Sequence, residues 1–414
     1  MEKIACVFPG QGAQFVGMGK ALHHEFVVAR HTYEEASEAA GYDIAGLCFN
    51  GPPIQQMRAD KMQMAIVITE VAMFRTYMHL YGVNPQFLAG HSVGEYAALI
   101  CSGAVSLSFA VRILLSRGEL LLESVRNGQG YMSIVEEIDE ARLRDILDGD
   151  PLVFISCLNA PEQYSISGKP DPLRQAELRL RADKAKVTPM ENSPPIHSPL
   201  MLPQAVRFEQ ILRELPWMEM RIPVISNVTG LPFSDSSLIP ELMSRQLVSP
   251  VRWRESVRLM DYYGVTLCLE IGPKSLLTSL FGSNGCRFPT FCFGVREERE
   301  RIKRFFDDSE CLKRDRIHFL DRCLGIAVST PNRNDNTEEY RRGVISNYNA
   351  IKARGTDEKP LDDREKRELT VRLIEILKTK KLSTGEINQW LWQLFDETGA
   401  YYELRDLLYD EVKG

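Results

Sequence analysis

Phe87-Leu88-Ala89-Gly90-His91-Ser92-Val93-Gly94-Glu95-Tyr96-Ala97-Ala98-Leu99 is the stretch whose reading sets the fold class. The short apolar run from Phe87 to Ala89 reads as a buried strand and Glu95 to Leu99 as a helix, with G-x-S-x-G between them. In that context the pentapeptide is a nucleophile elbow; without it, a serine capping a helix between two packing glycines would explain it as well. The turn is so tight that its flanking positions have no room for a Cβ, hence Gly90 and Gly94. It lifts the Ser92 hydroxyl toward a helix N-terminus, where free N–H groups and the positive end of the dipole can stabilise a developing oxyanion.

Working outward, Ile4 to Phe8 is a second apolar run, ended by Pro9-Gly10. Apolar residues then recur at helical spacing, first Met64, Val67, Val71 and Phe74, later Val111, Leu114, Leu115 and Leu120. Strands alternating with such helices predict an α/β parallel sheet covered on both faces. Tyr131 to Ser193 follows another order: strand Met132–Glu136, helix Glu140–Leu147, strands Phe154–Cys157 and Gln163–Gly168, helix Pro172–Ala182, strand Ala185–Met190. That order is ferredoxin-like, βαββαβ. The parallel pattern resumes at Pro223–Asn227 and Leu267–Ile271. The expected fold is therefore a hydrolase-like α/β subdomain, residues 1–125 and 194–295, with a ferredoxin-like subdomain, residues 126–193, inserted into it. A cleft between two subdomains is a common place for a substrate.

From Arg296 to Gly414 the chain holds 24 Lys/Arg and 25 Asp/Glu in 119 residues, about twice the charge density of what precedes. This segment, 296–414, reads as a mainly helical extension, with helices expected over Asp363–Lys381 and Thr384–Tyr409. Its aromatics Trp390, Trp392, Phe395, Tyr401, Tyr402 and Tyr409 suit either a self-contained core or a docking surface.

Composition narrows the function. Fifty Lys/Arg against 56 Asp/Glu leave a net charge of −6, which argues against nucleic acid as a ligand. Nine cysteines, odd in number and without a CxxC pair, read as reduced thiols of a cytoplasmic protein, with neither a metal site nor a redox motif. No apolar stretch approaches the roughly 20 residues of a membrane span, and no signal peptide is expected.

An activated serine needs a base, and there are seven histidines. His23, His24 and His31 lie in a polar helical stretch, His79 on an amphipathic helix and His318 in the charged extension. His91 neighbours Ser92, but adjacent side chains on a sharp turn diverge. That leaves His197, in the proline-flanked loop Pro194-Pro195-Ile196-His197-Ser198-Pro199, at the seam where the small subdomain returns to the large one. The turn Pro9-Gly10-Gln11-Gly12-Ala13-Gln14 has the wrong spacing for a phosphate loop, since Phe15 stands where a third glycine would be; it can instead present a second oxyanion donor. Arg117 lies on an otherwise apolar helix face, where a guanidinium needs a partner: a structural carboxylate or a substrate's.

These residues, in this order, resemble the malonyl-CoA:acyl carrier protein transacylases and, more broadly, the acyltransferases of fatty acid and polyketide synthases. The resemblance covers about residues 1 to 295 and seven motifs in register: Phe8-Pro9-Gly10-Gln11-Gly12-Ala13-Gln14, the elbow with Glu95-Tyr96, Arg117-Gly118, Asn159-Ala160-Pro161 with Ile166-Ser167-Gly168, His197 to Met201, Gln246 to Trp253, and Glu270-Ile271-Gly272-Pro273. It implies Ser92 as the acylated nucleophile and His197 as its base, held by a backbone carbonyl near Gln246. It further implies an oxyanion hole from the N–H groups of Gln11 and Val93, and Arg117 gripping the malonyl carboxylate. Val93 matches the malonyl-type elbow, where methylmalonyl-type members carry Gln. Before the histidine, synthase-borne malonyl-selective members have Gly-Ala-Phe and stand-alone ones a small polar residue. Here Ile196 follows two prolines, which leaves selectivity among dicarboxylic acyl groups open.

The implied activity is ping-pong transfer of malonyl from malonyl-CoA, a coenzyme A thioester, to the phosphopantetheine thiol of an acyl carrier protein, with no metal or redox cofactor. A discrete, trans-acting acyltransferase serving a fatty acid or polyketide synthase fits, with the extension as a dock for the synthase. The rivals are an acyl hydrolase that clears stalled chains from carrier proteins, and a non-catalytic synthase scaffold. Arg117 argues against the first; Ser92, His197 and Arg117 together argue against the second.

Overall fold

The computed structural model describes residues 2–51, 58–190, 193–308, 319–354 and 361–398, with Ala400, Leu404, Leu407 and Leu408. His318, Tyr401, Tyr402 and Tyr409 lie outside these described residues. The chain divides into two compact units, one of residues 1–77 and 84–305, the other of residues 78–83 and 306–414.

The first unit holds two sheets. Strands β1 (Ile4–Phe8), β2 (Phe87–Gly90), β7 (Val224–Ile225), β8 (Leu267–Glu270) and β9 (Thr290–Cys292) form a parallel sheet in the order β7-β2-β1-β8-β9. Every residue of β1, β2 and β8 is buried, which is why these strands read as unbroken apolar runs rather than alternating ones. Strands β3 (Tyr131–Glu136), β4 (Val153–Ala160), β5 (Gln163–Gly168) and β6 (Lys186–Met190) pair antiparallel in the order β4-β5-β3-β6, the ferredoxin-like arrangement. Helices Glu140–Leu147 and Pro170–Ala182 supply Leu143, Leu147, Leu173, Ala176 and Leu180 to its core.

The two sheets are joined by more than the chain. Val251 N donates to Ser156 O and Leu158 N to Val251 O, both at 2.9 Å, so β4 pairs with the segment before helix Trp253–Tyr262. Cys157 and Ala160 share one buried cluster with Ala5, Val7, Phe87, Ala89 and Trp253. This seam fixes where the loop carrying His197 returns over the parallel sheet.

The second unit packs helices Phe319–Ser329, Ser346–Lys352, Asp363–Thr379 and Thr384–Thr398 around Cys323, Ile326, Ile351, Leu373, Leu377, Leu391, Leu394 and Phe395. Asp362 and Glu365 form a reciprocal cap at the start of the third helix. Lys380 Nζ, buried, donates to Ala327 O at 2.6 Å and Thr330 O at 2.8 Å, satisfying carbonyls at the end of the first. Phe395 is buried and Trp390 packs against the same core, so these two aromatics serve the unit itself. No helix among the described residues is long and apolar enough to cross a membrane.

Candidate active site

The parallel sheet delivers Ser92 at the C-terminal end of β2, where the chain turns into helix Gly94–Cys101. Ser92 takes φ +54°, the left-handed region that L residues seldom enter. A Cβ on Gly90 would stand 2.0 Å from Glu95 N, and one on Gly94 would stand 2.2 Å from Phe8 O. The glycines of the motif are therefore dictated by sterics on both sides of the serine. The N-terminal turn presses against the same elbow: His91 N donates to Phe8 O at 2.8 Å, and a Cβ on Gly10 would lie 2.6 Å from His91 O. Gln11 follows this contact, with its side chain donating to Ser193 Oγ at 2.9 Å. Neither Gln11 N nor Val93 N donates a hydrogen bond among the described residues, leaving both free for an oxyanion.

Ser92 Oγ lies 2.7 Å from His197 Nε2, and His197 Nδ1 lies 2.6 Å from the backbone carbonyl of Gln246. A carbonyl only accepts, so Nδ1 carries the proton and Nε2 presents its lone pair to the serine. His197 itself sits at φ +62°, with its N–H bonded to Leu247 O at 2.8 Å. Burial pushes its pKa down to about 3, Arg117 and His91 adding to the effect while the Gln246 carbonyl opposes it. The imidazole is thus neutral at ordinary pH, with its Nε2 lone pair toward Ser92 Oγ. His91, by contrast, points away: its Nε2 lies 2.9 Å from Asn159 Oδ1 and its ring meets Trp253 edge-on.

Arg117 is 1% exposed. One Nη donates to Gln63 Oε1 and the guanidinium lies 5.3 Å from the Tyr96 ring centre. Its Nε and second Nη are buried without a partner, and no acidic side chain among the described residues is within ion-pair distance. Burial lowers its pKa, against the raising influence of Tyr96 and Glu95. The structural salt bridge that the sequence allowed is absent among the described residues, and the buried guanidinium is met by the neutral side chains of Gln63 and Tyr96. Ile196, the residue before His197, is buried.

The residues singled out from sequence converge here, and sequence reasoning missed three more. Asn227 Oδ1 accepts from Ser92 N at 2.8 Å while its Nδ2 donates to Gly90 O at 2.5 Å; Gln63 and Tyr96 frame Arg117. The one available signal for Asn227 was its place just past a parallel strand, the end at which such sheets put functional side chains. Together the groups can remove a proton from a serine, stabilise an oxyanion and hold a carboxylate.

The acyl transferase domain family matches residues 5–284. A malonyl CoA-acyl carrier protein transacylase of Bacillus subtilis (strain 168) is 36% identical over 305 residues, 72% of this chain and 96% of that protein. The Escherichia coli (strain K12) protein of the same name is 33% identical over 285 residues, 68% of this chain and 92% of that one. Among solved structures, the transacylase of Coxiella burnetii superposes with a TM-score of 0.70 at 32% identity, over 73% of this chain and 98% of that one. A malonyl-transacylase solved in complex with its type II polyketide synthase acyl-carrier protein superposes with a TM-score of 0.68 at 32% identity, over 72% and 97%. The family match takes in residues 78–83 of the second unit and ends before its main segment, 306–414.

Proposed function

The chain belongs to the acyl transferase family, and from that premise we propose that it is a malonyl-CoA:acyl carrier protein transacylase working through an acyl-enzyme on Ser92. The observation that carries the proposal is the buried Arg117 with two unpartnered donors, in electrostatic reach of His197, which a dicarboxylic thioester would satisfy. His197 Nε2 takes the Ser92 Oγ proton as Oγ attacks the thioester carbonyl. The N–H groups of Gln11 and Val93 accommodate the oxyanion, and the imidazolium returns its proton to the departing CoA sulfur. In the second half the phosphopantetheine thiol gives its proton to His197 and attacks the malonyl-serine ester, and Ser92 leaves reprotonated. A neutral carbonyl at Gln246 steadies the imidazolium less than a carboxylate would. A thioester is activated enough to react with this weaker dyad.

As proposed, malonyl-CoA is a substrate and the reaction calls on no further cofactor. The carrier protein belongs to fatty acid or polyketide synthesis, and the enzyme acts in trans. The eight described cysteines are all free, which suits the cytoplasm. Phe395 and Trp390 serve their own unit, so a synthase dock on residues 296–414 would need other residues and is not part of the proposal. The test is transfer: incubated with malonyl-CoA and a holo acyl carrier protein, the enzyme should yield malonyl carrier protein faster than free malonate. Faster release of long acyl chains to water than malonyl transfer would make it a hydrolase instead.

A further inference from the structure

Ser92 holds a left-handed backbone conformation, and both of its backbone polar groups are gripped from outside the elbow. Its N–H donates to Asn227 Oδ1 at 2.8 Å, and its carbonyl accepts from Gln246 Nε2 at 2.9 Å. A strained residue of this kind persists only when its surroundings over-determine it. Both grips are tied to one carboxyl. Glu95 Oε1 accepts from Asn227 N at 3.1 Å, and Glu95 Oε2 accepts from Gln246 Nε2 at 2.5 Å. Glu95, Asn227 and Gln246 are all buried, and Gln246 has a second duty, since its backbone carbonyl holds His197 Nδ1. Gln246 Oε1 is buried without a partner, so the amide's direction is set by the three acceptors facing Nε2: Glu95 Oε2, Ser92 O and, at 3.5 Å, Asn227 Oδ1.

A carboxylate in the first turn of a helix is ordinarily explained by the dipole or by capping. Glu95 lies in the first turn of Gly94–Cys101, yet its side chain bonds to segments 132 and 151 residues away rather than to an N–H of its own helix. We propose that Glu95 is a positioning residue for the Ser92–His197 pair: by fixing Asn227 and Gln246 it sets the nucleophile's backbone and the base's ring in a single register. The proposal rests on the reading of Ser92 as the acylated nucleophile. Burial pushes the Glu95 pKa up to about 8 against the hydrogen bonds from Gln246, Asn227 and Ser226. Glu95→Gln is an isosteric change that mainly replaces an acceptor with a donor where Gln246 Nε2 already donates.

The experiment is rapid-quench acylation of the full chain by malonyl-CoA and by acetyl-CoA. Glu95→Gln should lower the maximal acylation rate about 30- to 100-fold for both acyl groups, with half-saturating concentrations within about twofold of wild type. A second variant, Gln246→Met, removes the Nε2 bridge between Glu95 and Ser92 and leaves the carbonyl that holds His197 in place. It should slow acylation comparably, and Glu95→Gln combined with it should be no more than about threefold slower than the slower single variant, since both act through one bridge. A rate within about twofold of wild type for Glu95→Gln overturns the proposal. So does a loss confined to malonyl half-saturation, which would make Glu95 a counter-charge to Arg117. A rate loss that tracks a lowered melting temperature, with the losses of the two single variants multiplying in the double one, overturns it too, as an ordinary structural effect. If wild type forms no Ser92 adduct, the functional reading and this inference fall together. If wild type forms one and Glu95→Gln forms it equally fast, this inference alone falls.

Discussion

Replacing Arg117 with methionine keeps most of the side-chain volume and removes the guanidinium, whose Nε and one Nη lie buried without partners. If malonyl binds there, its carboxylate takes both donors, and a charge-assisted hydrogen bond contributes about 1.5–3 kcal/mol. Two such bonds amount to roughly 3–6 kcal/mol. Malonyl loading should therefore fall by at least about 100-fold. Acetyl loading should hold or improve, because an acetyl methyl gains nothing beside an uncompensated cation. The same unpartnered donors mean that the empty enzyme holds a buried charge at a cost, so Arg117→Met should melt no lower than wild type, and higher if the vacated space packs well. The assay is rapid-quench acylation with radiolabelled malonyl-CoA and acetyl-CoA, with a thermal melt of each protein. Equal loss for both acyl groups, together with a lowered melting temperature, would refute the reasoning and make Arg117 a structural residue.

Two further predictions concern the frame of the site. The unfolded imidazole of His197 binds a proton below its ordinary value of 6.5, whereas the buried one, at about 3, does not, so unfolding takes up a proton and acid destabilises the fold through this window. Between pH 6.5 and 5 wild type should lose about 1.6 kcal/mol more unfolding free energy than His197→Gln; parallel slopes in denaturant melts would contradict the depressed pKa. Gly94→Ala places a Cβ 2.2 Å from Phe8 O and 2.7 Å from Pro9 O, so the strand end carrying Gln11 must move. We expect a stability loss of about 1–3 kcal/mol with a disproportionate drop in acylation, checked by melts and quench kinetics, and undone by a wild-type rate.

Much of the site was legible because its chemistry has local signatures. The elbow announces itself through glycines that sterics require, and His197 emerged by elimination among seven histidines and by its place on the seam. The ferredoxin-like unit was legible from the alternation of its elements, down to a strand order the motif fixes. What stayed hidden has no such signature. The carbonyl that orients His197 is a backbone group that any residue could supply, and Gln246 was reachable only through family resemblance. Asn227 acts across 135 residues, a distance over which one sequence shows no pairing. Glu95 reads as a helix former until its partners are seen. Strand β9 is three residues long, too short for a pattern. The rise in charge at Arg296 precedes the packing boundary at Phe306, because helix Arg296–Asp308 runs across it; charge density marks solvated surface, not where one core stops. Aromatics on charged helices suited either a core or an interface, and Phe395 and Trp390 fill a core of their own.

The most direct test of the acyl-enzyme on Ser92 is intact mass spectrometry of the full chain after brief exposure to malonyl-CoA, followed by peptide mapping. The chain should gain one malonyl group, located on the peptide containing Ser92, lost in Ser92→Ala and discharged by a holo acyl carrier protein. An adduct that persists in Ser92→Ala, or that maps to any cysteine, would contradict the account.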